Sequence, residues 1–527
     1  MTNKYLYITL MALLGANSET LAQAVATSKA APRMVVSIVI DQLRSDYLEA
    51  FTPLFGEKGF KRLLGEGRCY VNATYPFTPV DRASAMGALS TGTTPYYNNI
   101  VGLRWLNRQT LRPTWCTDDA KNPGLLTDES SSPACIGTST LADELKVATA
   151  GNALIYSIAP FREAAVLMAG HAGDGALWID DTYGQWCSSQ YYFSTLPSWV
   201  QVYNGLRAPN LTIDDTTWEP VNPLVGSFNY FVQSTQPKPF KHKFKGQGRF
   251  ADFKSSAMVN DEVTNMTLQC LESSNMGYDV VTDMLCVTYY AGSFRQQSVT
   301  DCQTELQDTY ARLDQSLARL IGFLERRFSL DEVLFVVTGT GYTDEKPASY
   351  ERFRVPTGTF YMSRTAGLLN MYLGAIYGQG KYVEAHYGNQ FFLDHKLLET
   401  KHISIADATG RAQEMLAMMS GVRNVYTSLQ LLTGQNQQLQ KIRNGYNPER
   451  CGDLLIETAP GWHILDEDTQ ESHQPSNIYT QFPIILFGLG IRAQTIDTPV
   501  STTCIAPTVA RCIRIRAPNA CTAEPLF

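Results

Sequence analysis

Histidine is scarce in this chain, which has only seven in 527 residues. None of the eleven cysteines forms a Cys-x-x-Cys pair, so a zinc ribbon is not expected. Positive charge is not in excess either, since the formal net charge is −7. This charge argues against a nucleic-acid partner. No apolar run beyond the N-terminus is long enough to cross a bilayer. The chain does have 44% hydrophobic residues, which is enough for one large core or two ordinary domains.

The N-terminus has the pattern of an export signal. Lys4 supplies a short basic region, residues 6–14 form an apolar core, and residues 22–24 read Ala-Gln-Ala, a small-x-small cleavage site. We expect residues 1–24 to be removed as a signal peptide. The mature protein is then expected outside the cytoplasm, in the periplasm, at the outer membrane or secreted.

The cysteines all lie beyond this signal, and an oxidising compartment makes disulfides plausible for them. Cys116 and Cys135 flank a loop rich in Pro, Gly, Asp and Ser, and they are the expected pair. Three more, Cys504, Cys512 and Cys521, crowd the C-terminus. Since the count is odd, at least one thiol is left over.

Short apolar runs alternate with helical patterns through the first 340 residues. Residues 34–40, bounded by Pro32 and Asp41, are typical of a buried parallel strand. Further strands are predicted at 68–74, 153–158, 164–168, 284–289 and 333–338, and helices at 60–65, 139–147 and 304–327. The alternation predicts an α/β fold with a mainly parallel central sheet flanked by helices. Functional groups of such folds gather at the carboxyl ends of the strands, here at Asp41, after Tyr289 and at residues 338–341.

Two stretches, residues 104–135 and about 180–250, interrupt this pattern and are predicted to be insertions in one domain spanning 32–527. The second is aromatic and irregular, as expected for a cap. Its Trp and Tyr side chains are typical of binding surfaces, although they could also pack beneath the cap. Its basic run could bind an anion or form a solvated loop. The run consists of Lys238, Lys241, Lys243, Lys245 and Arg249.

Residues 78–92 have the frame of a nucleophile turn: Thr78-Pro79 opens a small-residue helix that closes on Ser-Thr-Gly. In many α/β hydrolases a hydroxyl at the mouth of such a helix attacks phosphorus, aided by the positive end of the helix dipole. Here Arg82 stands at that position. Ser84 follows two residues later, where a helix would turn its side chain away. Neither Ser84 nor Ser90 lies in a G-x-S-x-G motif, so Ser-His-Asp chemistry is not indicated.

Several motifs along the chain carry a family resemblance. They include Val-Ser-Ile-Val-Ile-Asp-Gln-Leu-Arg-Ser-Asp-Tyr at 36–47, Asp-Thr-Tyr-Ala-Arg-Leu-Asp at 308–314, and residues 59–64, 78–92, 100–102, 169–171, 482–488 and 505–508. From about residue 34 to its end the chain resembles the alkaline phosphatase superfamily. It is most similar to the periplasmic phosphate-monoester phosphatases of Bacteroidetes type, with a type I phosphodiesterase/nucleotide pyrophosphatase-like fold.

The resemblance implies hydrolysis of phosphate esters by two zinc ions, held by Asp and His, that activate a Thr or Ser nucleophile. Carried over by position, Asp41 keeps the first ligand and Arg82 occupies the nucleophile position. The ligand pair Asp-x-x-x-His falls on Ser293 and Gln297. The Asp-His pair falls on Thr340 and Gly341.

The remaining family positions are also altered. Phosphate-contacting positions fall on or near Leu103, Phe161 and Glu163, with Arg162 between the last two. His473 is near the position of the last His ligand. Because two zinc ions need about three ligands each, Asp41 and His473 cannot hold them, and no metal cofactor is expected. One weaker site from Asp41, His473 and either Asp301 or Asp344 remains an alternative.

Arg82 also has a physical interpretation, since a guanidinium pairing with Asp41 or Asp81 would neutralise carboxylates that metal once neutralised. The sequence therefore indicates a degenerate member of the superfamily, a secreted pseudoenzyme that acts as a binding or scaffold component for an unknown envelope or periplasmic protein. One alternative is an active phosphatase or phosphodiesterase with a rearranged site, which would need two zinc ions. Another is a protein that binds a phosphate or sulfate ester through Arg82, Arg104 and Arg162 without cleaving it.

Overall fold

The core of the molecule is an 11-stranded sheet with the strand Met34–Asp41, here called the central strand, near its middle. A computed structural model describes residues 31–227, 239–345, 354–473 and 478–527 of the chain. The predicted signal peptide and Lys238 lie outside these residues. The central strand pairs in parallel with Asp283–Tyr290 on one side and Val333–Gly339 on the other. The carboxyl ends of these three strands therefore meet at one edge.

The order of strands across the sheet mixes parallel and antiparallel neighbours, with parallel pairs at its centre and again at the edge beside Arg68–Thr74. In spatial order the strands are Gln494–Ile496, Arg68–Thr74, Phe482–Gly488, Val333–Gly339, Met34–Asp41, Asp283–Tyr290, Ile155–Ile158, Gly175–Ile179, Trp186–Ser189 and Gly124–Leu125, and Val500–Ser501 pairs beside Arg68–Thr74. The predicted α/β fold with a mainly parallel sheet is confirmed.

Both faces of the sheet are covered, which explains why the central strand is mostly apolar rather than alternating between apolar and polar residues. Its residues Val36, Ile38 and Ile40 pack into one core, whereas Val35 and Val39 pack into the other. The first face is covered by helices Phe60–Glu66, Ser198–Leu206, Met258–Ser273 and Gln303–Glu325. The second is covered by Arg82–Thr91, Leu141–Ala148, Arg162–Ala169 and Ile505–Ile513.

Shorter elements connect these layers. They are the helices and turns Ser45–Ala50, Thr52–Leu54, Pro95–Asn98, Pro209–Thr212, Arg249–Lys254, Phe294–Gln296, Leu330–Glu332 and Thr502–Cys504, and the two-residue strands Thr217–Trp218, His242–Lys243, Tyr342–Thr343 and Ile478–Tyr479.

The strand predicted at 164–168 is wrong, because these residues belong to the helix Arg162–Ala169. A short run of Ala, Val, Leu and Met has no period that separates a buried strand from a buried helix. Every residue of this helix is buried, so the polar face that would have revealed it is missing.

Both predicted insertions contain more order than expected. Residues 104–135 include an antiparallel pair of strands, Arg104–Asn107 and Arg112–Trp115, although no strand was predicted there. In the second insertion, Trp186, Tyr203 and Trp218 are buried in the core beneath the sheet. The idea that its aromatic side chains form an exposed binding surface is therefore wrong for these residues.

The stretch 354–473, here called the smaller lobe, has its own apolar core. Its four-stranded sheet has the order Val383–Tyr387, Gln390–Leu393, Leu454–Thr458 and Val422–Thr427, and a second sheet has the order Gly358–Tyr361, Trp462–Leu465 and Ser472–His473. Its helices are Met362–Tyr377, His395–Thr400, Ile405–Ala417, Ser428–Thr433 and Gln437–Gly445.

The cysteines correct another expectation, since all eleven, Cys116 and Cys135 included, are free thiols. Seven of them are buried within apolar cores, where a thiol packs as a small hydrophobic group. The loop between Cys116 and Cys135 is ordered instead by hydrogen bonds among its Asp, Asn and Ser residues.

Among the described residues, no helix is both long enough and apolar enough to cross a membrane.

Candidate functional site

The helix Arg82–Thr91, here called the site helix, begins at the edge where the central strand ends. Asp81 caps it: its carboxylate accepts from the Ser84 amide and hydroxyl at 2.8 Å each, and from the Leu103 amide at 2.6 Å. The Ser84 hydroxyl accepts in return from the Asp81 amide, which completes a capping box. Ser84 is fully buried and engaged in this cap, so its hydroxyl cannot act as a nucleophile in the cavity described below.

Arg82, the first residue of the site helix, joins two carboxylates. Its Nε lies 2.7 Å from Asp41 Oδ2, its Nη1 lies 2.7 Å from Glu163 Oε1, and its guanidinium carbon lies 3.5 Å from the centre of the Phe161 ring. Burial alone would lower the pKa of Arg82, but the charges of Asp41 and Glu163 help to raise that pKa well above its ordinary value. Of the two partners expected from the sequence, Asp41 is bonded to Arg82, whereas Asp81 caps the helix.

Asp41 ends the central strand, is fully buried, and has both carboxylate oxygens occupied. Oδ2 accepts from Arg82, and Oδ1 accepts from the Thr340 hydroxyl at 3.0 Å. The Thr340 hydroxyl oxygen in turn accepts from the Gln42 amide at 2.8 Å. Two neighbouring strand ends are thus tied together by hydrogen bonds at the place where the family resemblance implies a metal ligand.

The residues at the other implied ligand positions do not fit a zinc centre. Ser293 is fully buried, and within the described residues its hydroxyl makes no hydrogen bond. Gly341 has a left-handed backbone (φ 69°), and a Cβ there would lie 2.6 Å from the Phe482 ring and 2.8 Å from the Tyr75 ring. A histidine cannot be accommodated at Gly341 without moving these rings, so the space for that ligand is filled.

A cavity of about 270 Å³ opens beside Arg82, with Trp115, Phe161 and Tyr290 in its walls. Its lining carries three cations and four carboxylates: Arg82, Arg162 and Lys254 against Glu129, Glu163, Asp181 and Asp344. Burial raises the pKa of Asp344, and the charge of Asp41 raises it further. The cavity is therefore not a strongly electropositive one.

Each of the other cations at this edge is already paired. Arg162 lies 3.1 Å from Asp118 and 3.6 Å from Glu129, and Lys254 lies 2.7 Å from Asp181. Arg162 and Arg82 line the same cavity. Arg104 lines a neighbouring cavity of about 300 Å³, where it pairs with Glu471 at 3.1 Å. The structure therefore brings two of the three arginines of the anion-binding alternative together and separates the third.

The remaining candidates contribute less. Gln297 is half-buried beside the turn Phe294–Gln296, and Asp301 is exposed. The backbone of His473 pairs with Ile464, but its side chain lies outside the description. Two members of the basic run pair with acids of the same insertion, Lys241 with Glu219 and Arg249 with Asp214, as side chains of a solvated surface do.

The sequence did not reveal Glu163 as a partner of Arg82, nor Lys254 as part of the cavity. Glu163 falls on or near a phosphate-contacting position of the family resemblance, where a cation is usual. This change from a positive to a negative residue was the available sign that the site had a different partner for Arg82. The pairing itself joins residues 81 positions apart on two helices, Arg82–Thr91 and Arg162–Ala169. Only their packing in space reveals it.

Comparisons with known proteins agree with this fold. The family model described as type I phosphodiesterase / nucleotide pyrophosphatase matches residues 35–479. Alkaline phosphatase PhoV of Synechococcus elongatus is 28% identical over 93% of this chain and 91% of its own length. Alkaline phosphatase PafA of Elizabethkingia meningoseptica is 26% identical over 94% of both. A crystal structure of PafA superposes with a TM-score of 0.81 at 24% identity, covering 95% of this chain and 99% of that one.

Proposed function

Because the chain belongs to the type I phosphodiesterase / nucleotide pyrophosphatase family, we propose that it is a member in which Arg82 replaces the metal centre, so that it binds without hydrolysing. The observation that carries this proposal is the bridge from Asp41 through Arg82 to Glu163. A guanidinium neutralises the two buried carboxylates permanently and offers no open coordination position. Neither a nucleophile nor a Lewis acid is then present at the head of the site helix.

The donor set of the described residues supports the same proposal. Family chemistry needs zinc to activate a hydroxyl and to offset charge on the transferring phosphoryl group. Ser293, Thr340 and Gly341 supply no carboxylate or imidazole, and the oxygens of Asp41 are engaged by Arg82 and Thr340. No hydrolytic step can be derived from these residues through zinc.

Between the two non-hydrolysing alternatives, the charges of the cavity favour a binding or scaffold role with an envelope or periplasmic protein over capture of a phosphate or sulfate ester. An anion entering the cavity would have to displace Asp118 or Asp181 from their cations, and it would meet four carboxylates in the lining. Desolvated like charges oppose such binding. The proposed place of action, outside the cytoplasm, rests on the signal-like N-terminus.

Turnover tests the proposal directly. The mature protein, purified without chelators, is assayed with a phosphomonoester and a phosphodiester, with and without added Zn²⁺, alongside PafA as the active reference. We expect no turnover above background in either condition. Turnover that zinc supplies and a chelator removes would overturn the proposal, because the ligands would then come from outside the positions described.

A calorimetric titration with inorganic phosphate separates the two non-hydrolysing roles. We expect no measurable heat for the wild-type protein. Binding heat that disappears in Arg162→Ala would favour the anion-binding alternative. A stoichiometric protein captured from envelope extracts would support the scaffold role when the titration shows no heat.

A further inference from the structure

A second group of metal-ligating side chains lies in the smaller lobe, away from the site helix. His386, Asp466 and Asp468 each offer one ligand atom, and these atoms all lie within 4.8 Å of one another. The Ser363 hydroxyl joins them, 2.9 Å from Asp468 Oδ2 and 3.4 Å from His386 Nε2. The group therefore contains one imidazole, two carboxylates and one hydroxyl.

Regular elements place three of the four members, whereas Asp468 lies in the loop that follows the strand Trp462–Leu465. Strands Gly358–Tyr361 and Trp462–Leu465 run parallel with Tyr361 opposite Leu465, so the residues that follow them meet at one edge. Asp466 follows the second strand directly, and Ser363 lies in the first turn of the helix Met362–Tyr377, which follows the first. His386 comes from the strand Val383–Tyr387. Ligands on rigid elements give a preorganised site.

The spacing of the ligand atoms matches a small divalent ion. His386 Nδ1 lies 3.4 Å from Asp466 Oδ2, and His386 Nε2 lies 3.9 Å from Asp468 Oδ2. Zinc bonds of about 2.0–2.2 Å place neighbouring ligands of a tetrahedron roughly 3.4 Å apart. An ion can bind only one of these two ring nitrogens, so side chains of the group would move when the ion binds.

The charge of Asp466 gives an independent reason to expect a cation. This residue is only 6% exposed, and among the described residues no Lys or Arg pairs with it. Its Oδ1 accepts from the amides of Asp468 and Thr469, which leaves Oδ2 toward His386. His386 Nδ1 is itself buried and makes no hydrogen bond in the described part of the chain. A buried carboxylate beside an unsatisfied imidazole nitrogen is costly unless a proton or a metal ion lies between them.

The same side chains could be compared with a Ser-His-Asp triad, but the oxyanion donors are missing. The first-turn amides of Ser363 and Arg364 donate to the Glu467 carboxylate at 2.8 and 3.2 Å. The Ser363 hydroxyl donates to Asp468 at the shorter of its two distances. Within the described part of the chain these first-turn amides are therefore not free to stabilise an acyl intermediate, and metal binding suits the group better.

We propose that Ser363, His386, Asp466 and Asp468 bind one Zn²⁺ per chain, a site separate from the arginine-filled one. The bound ion ties the loop 466–471 to the helix Met362–Tyr377. That loop also carries Glu471, the partner of Arg104 at the neighbouring cavity. Zinc in the smaller lobe would therefore order one wall of that cavity.

Metal analysis of the full mature protein, dialysed against micromolar Zn²⁺ and then against buffer, tests this site. We expect one zinc per chain in the wild type and less than a tenth of that in His386→Ala and Asp468→Asn. Asp468 is 74% exposed, so Asp468→Asn should fold normally. His395→Ala is the matched control, because His395 is an exposed histidine of the same lobe that pairs with Asp453 at 2.9 Å. It should keep its zinc.

The melting temperature gives a second readout. Added Zn²⁺ should raise it in the wild type and in His395→Ala but not in His386→Ala or Asp468→Asn, because a ligand that binds only the folded state stabilises it. Wild-type protein without zinc would overturn the proposal, and so would zinc that survives both substitutions. Turnover is measured separately, so failure here leaves the test of the arginine-filled site unaffected.

Discussion

Among the described residues, Arg82 is the cation that pairs with the buried carboxylates of Asp41 and Glu163, and its removal is the most direct probe of the site. In Arg82→Thr, Asp41 and Glu163 lose their shared partner, and breaking a buried ion pair costs about 3–5 kcal/mol. We expect urea denaturation to show a loss of this order and phosphatase assays to show no turnover. The threonine restores a hydroxyl but none of the missing ligands.

The control for that substitution is Arg364→Thr. Arg364 also lies in the first turn of a helix, but it is exposed and contacts the Tyr361 ring at 4.6 Å. Its replacement should change stability by less than about 0.5 kcal/mol. Phosphatase activity in Arg82→Thr alone would show that the arginine merely blocks a working centre.

Glu262 gives a pH dependence that can be isolated by one substitution. Burial raises the pKa of Glu262 from 4.5 to about 7, against hydrogen bonds from Trp186 Nε1 at 2.7 Å and the Tyr203 hydroxyl at 3.2 Å. Below pH 4.5 the carboxyl is protonated in the folded and unfolded chain alike. Between that pH and about 7 the unfolded chain ionises first, so stability falls as the pH rises.

Glu262→Gln stays neutral and keeps an acceptor for Trp186. We therefore compare the free energy of unfolding of Glu262→Gln with that of the wild type at each pH. The variant's advantage should be about 1–3 kcal/mol larger at pH near 8 than at pH near 4. Chemical denaturation of both proteins at the two pH values measures the difference. An unchanged difference across this range would show that Glu262 ionises at its ordinary pH.

At the scale of one element, the site helix depends on its cap. Asp81→Ala removes the acceptor for the Ser84 and Leu103 amides and should cost about 1–3 kcal/mol in thermal or urea denaturation. Asp81→Asn keeps an acceptor and should cost less. Asp394→Ala is the comparison, because Asp394 caps the helix His395–Thr400 through one amide, that of Leu397. If both alanine variants lose the same stability, the bond to Leu103 contributes nothing.

The same element shows how far sequence reasoning reaches. The strand at 34–40 and the helix that ends at Gly92 were predictable, because residues that typically start or stop an element flank them. These residues are Pro32, Asp41, Pro79 and Gly92, which has φ 65°. The partner helix Arg162–Ala169 was predicted as a strand, since an all-buried run of Ala, Val, Leu and Met carries no period. Local sequence patterns therefore predicted the site helix, but they did not predict the helix Arg162–Ala169 that packs beside it.

The charges of the site were less predictable than its elements. Asp41 and Arg82 were both identified from the sequence, and their pairing follows from chemistry. Glu163 and Lys254 reach the cavity only through the packing of distant segments, and a long-range pair leaves no local pattern. The His386 group was missed for the same reason, because its four members come from three separate segments of the smaller lobe.

At the scale of the whole molecule, free thiols stand where disulfides were expected. Seven of the eleven cysteines are buried, and burial raises the pKa of Cys69 and Cys451 to about 11. Such thiols react slowly because the thiolate is the reactive form. We expect mass spectrometry after denaturation and alkylation without reductant to find eleven alkylated cysteines.

Mass shifts corresponding to fewer alkylated sites would contradict this expectation. If the two cysteines that escape alkylation were Cys116 and Cys135, the disulfide that the sequence suggested would be supported. Alkylation of the native protein should first label the four half-buried residues, Cys135, Cys504, Cys512 and Cys521.

Export is also a prediction about the whole chain. Cleavage after Ala24 would make Val25 the first residue of the mature protein, leaving a short segment before the central strand at Met34. N-terminal sequencing of protein recovered from outside the cytoplasm checks the cleavage site. Recovery of the intact N-terminus from the cytoplasm would contradict it.

The bridge made by Arg82 also bears on how this chain could acquire a zinc centre. Such a centre would need the arginine removed and carboxylate or imidazole groups placed at Ser293, Gln297, Thr340 and Gly341. Removing Arg82 first leaves Asp41 and Glu163 without their shared cation, whereas adding acids first crowds like charges around them. At Gly341 the rings of Tyr75 and Phe482 would have to move as well. Several of these single substitutions would lower stability before a metal could bind, so the bridge makes a stepwise route to metal chemistry costly.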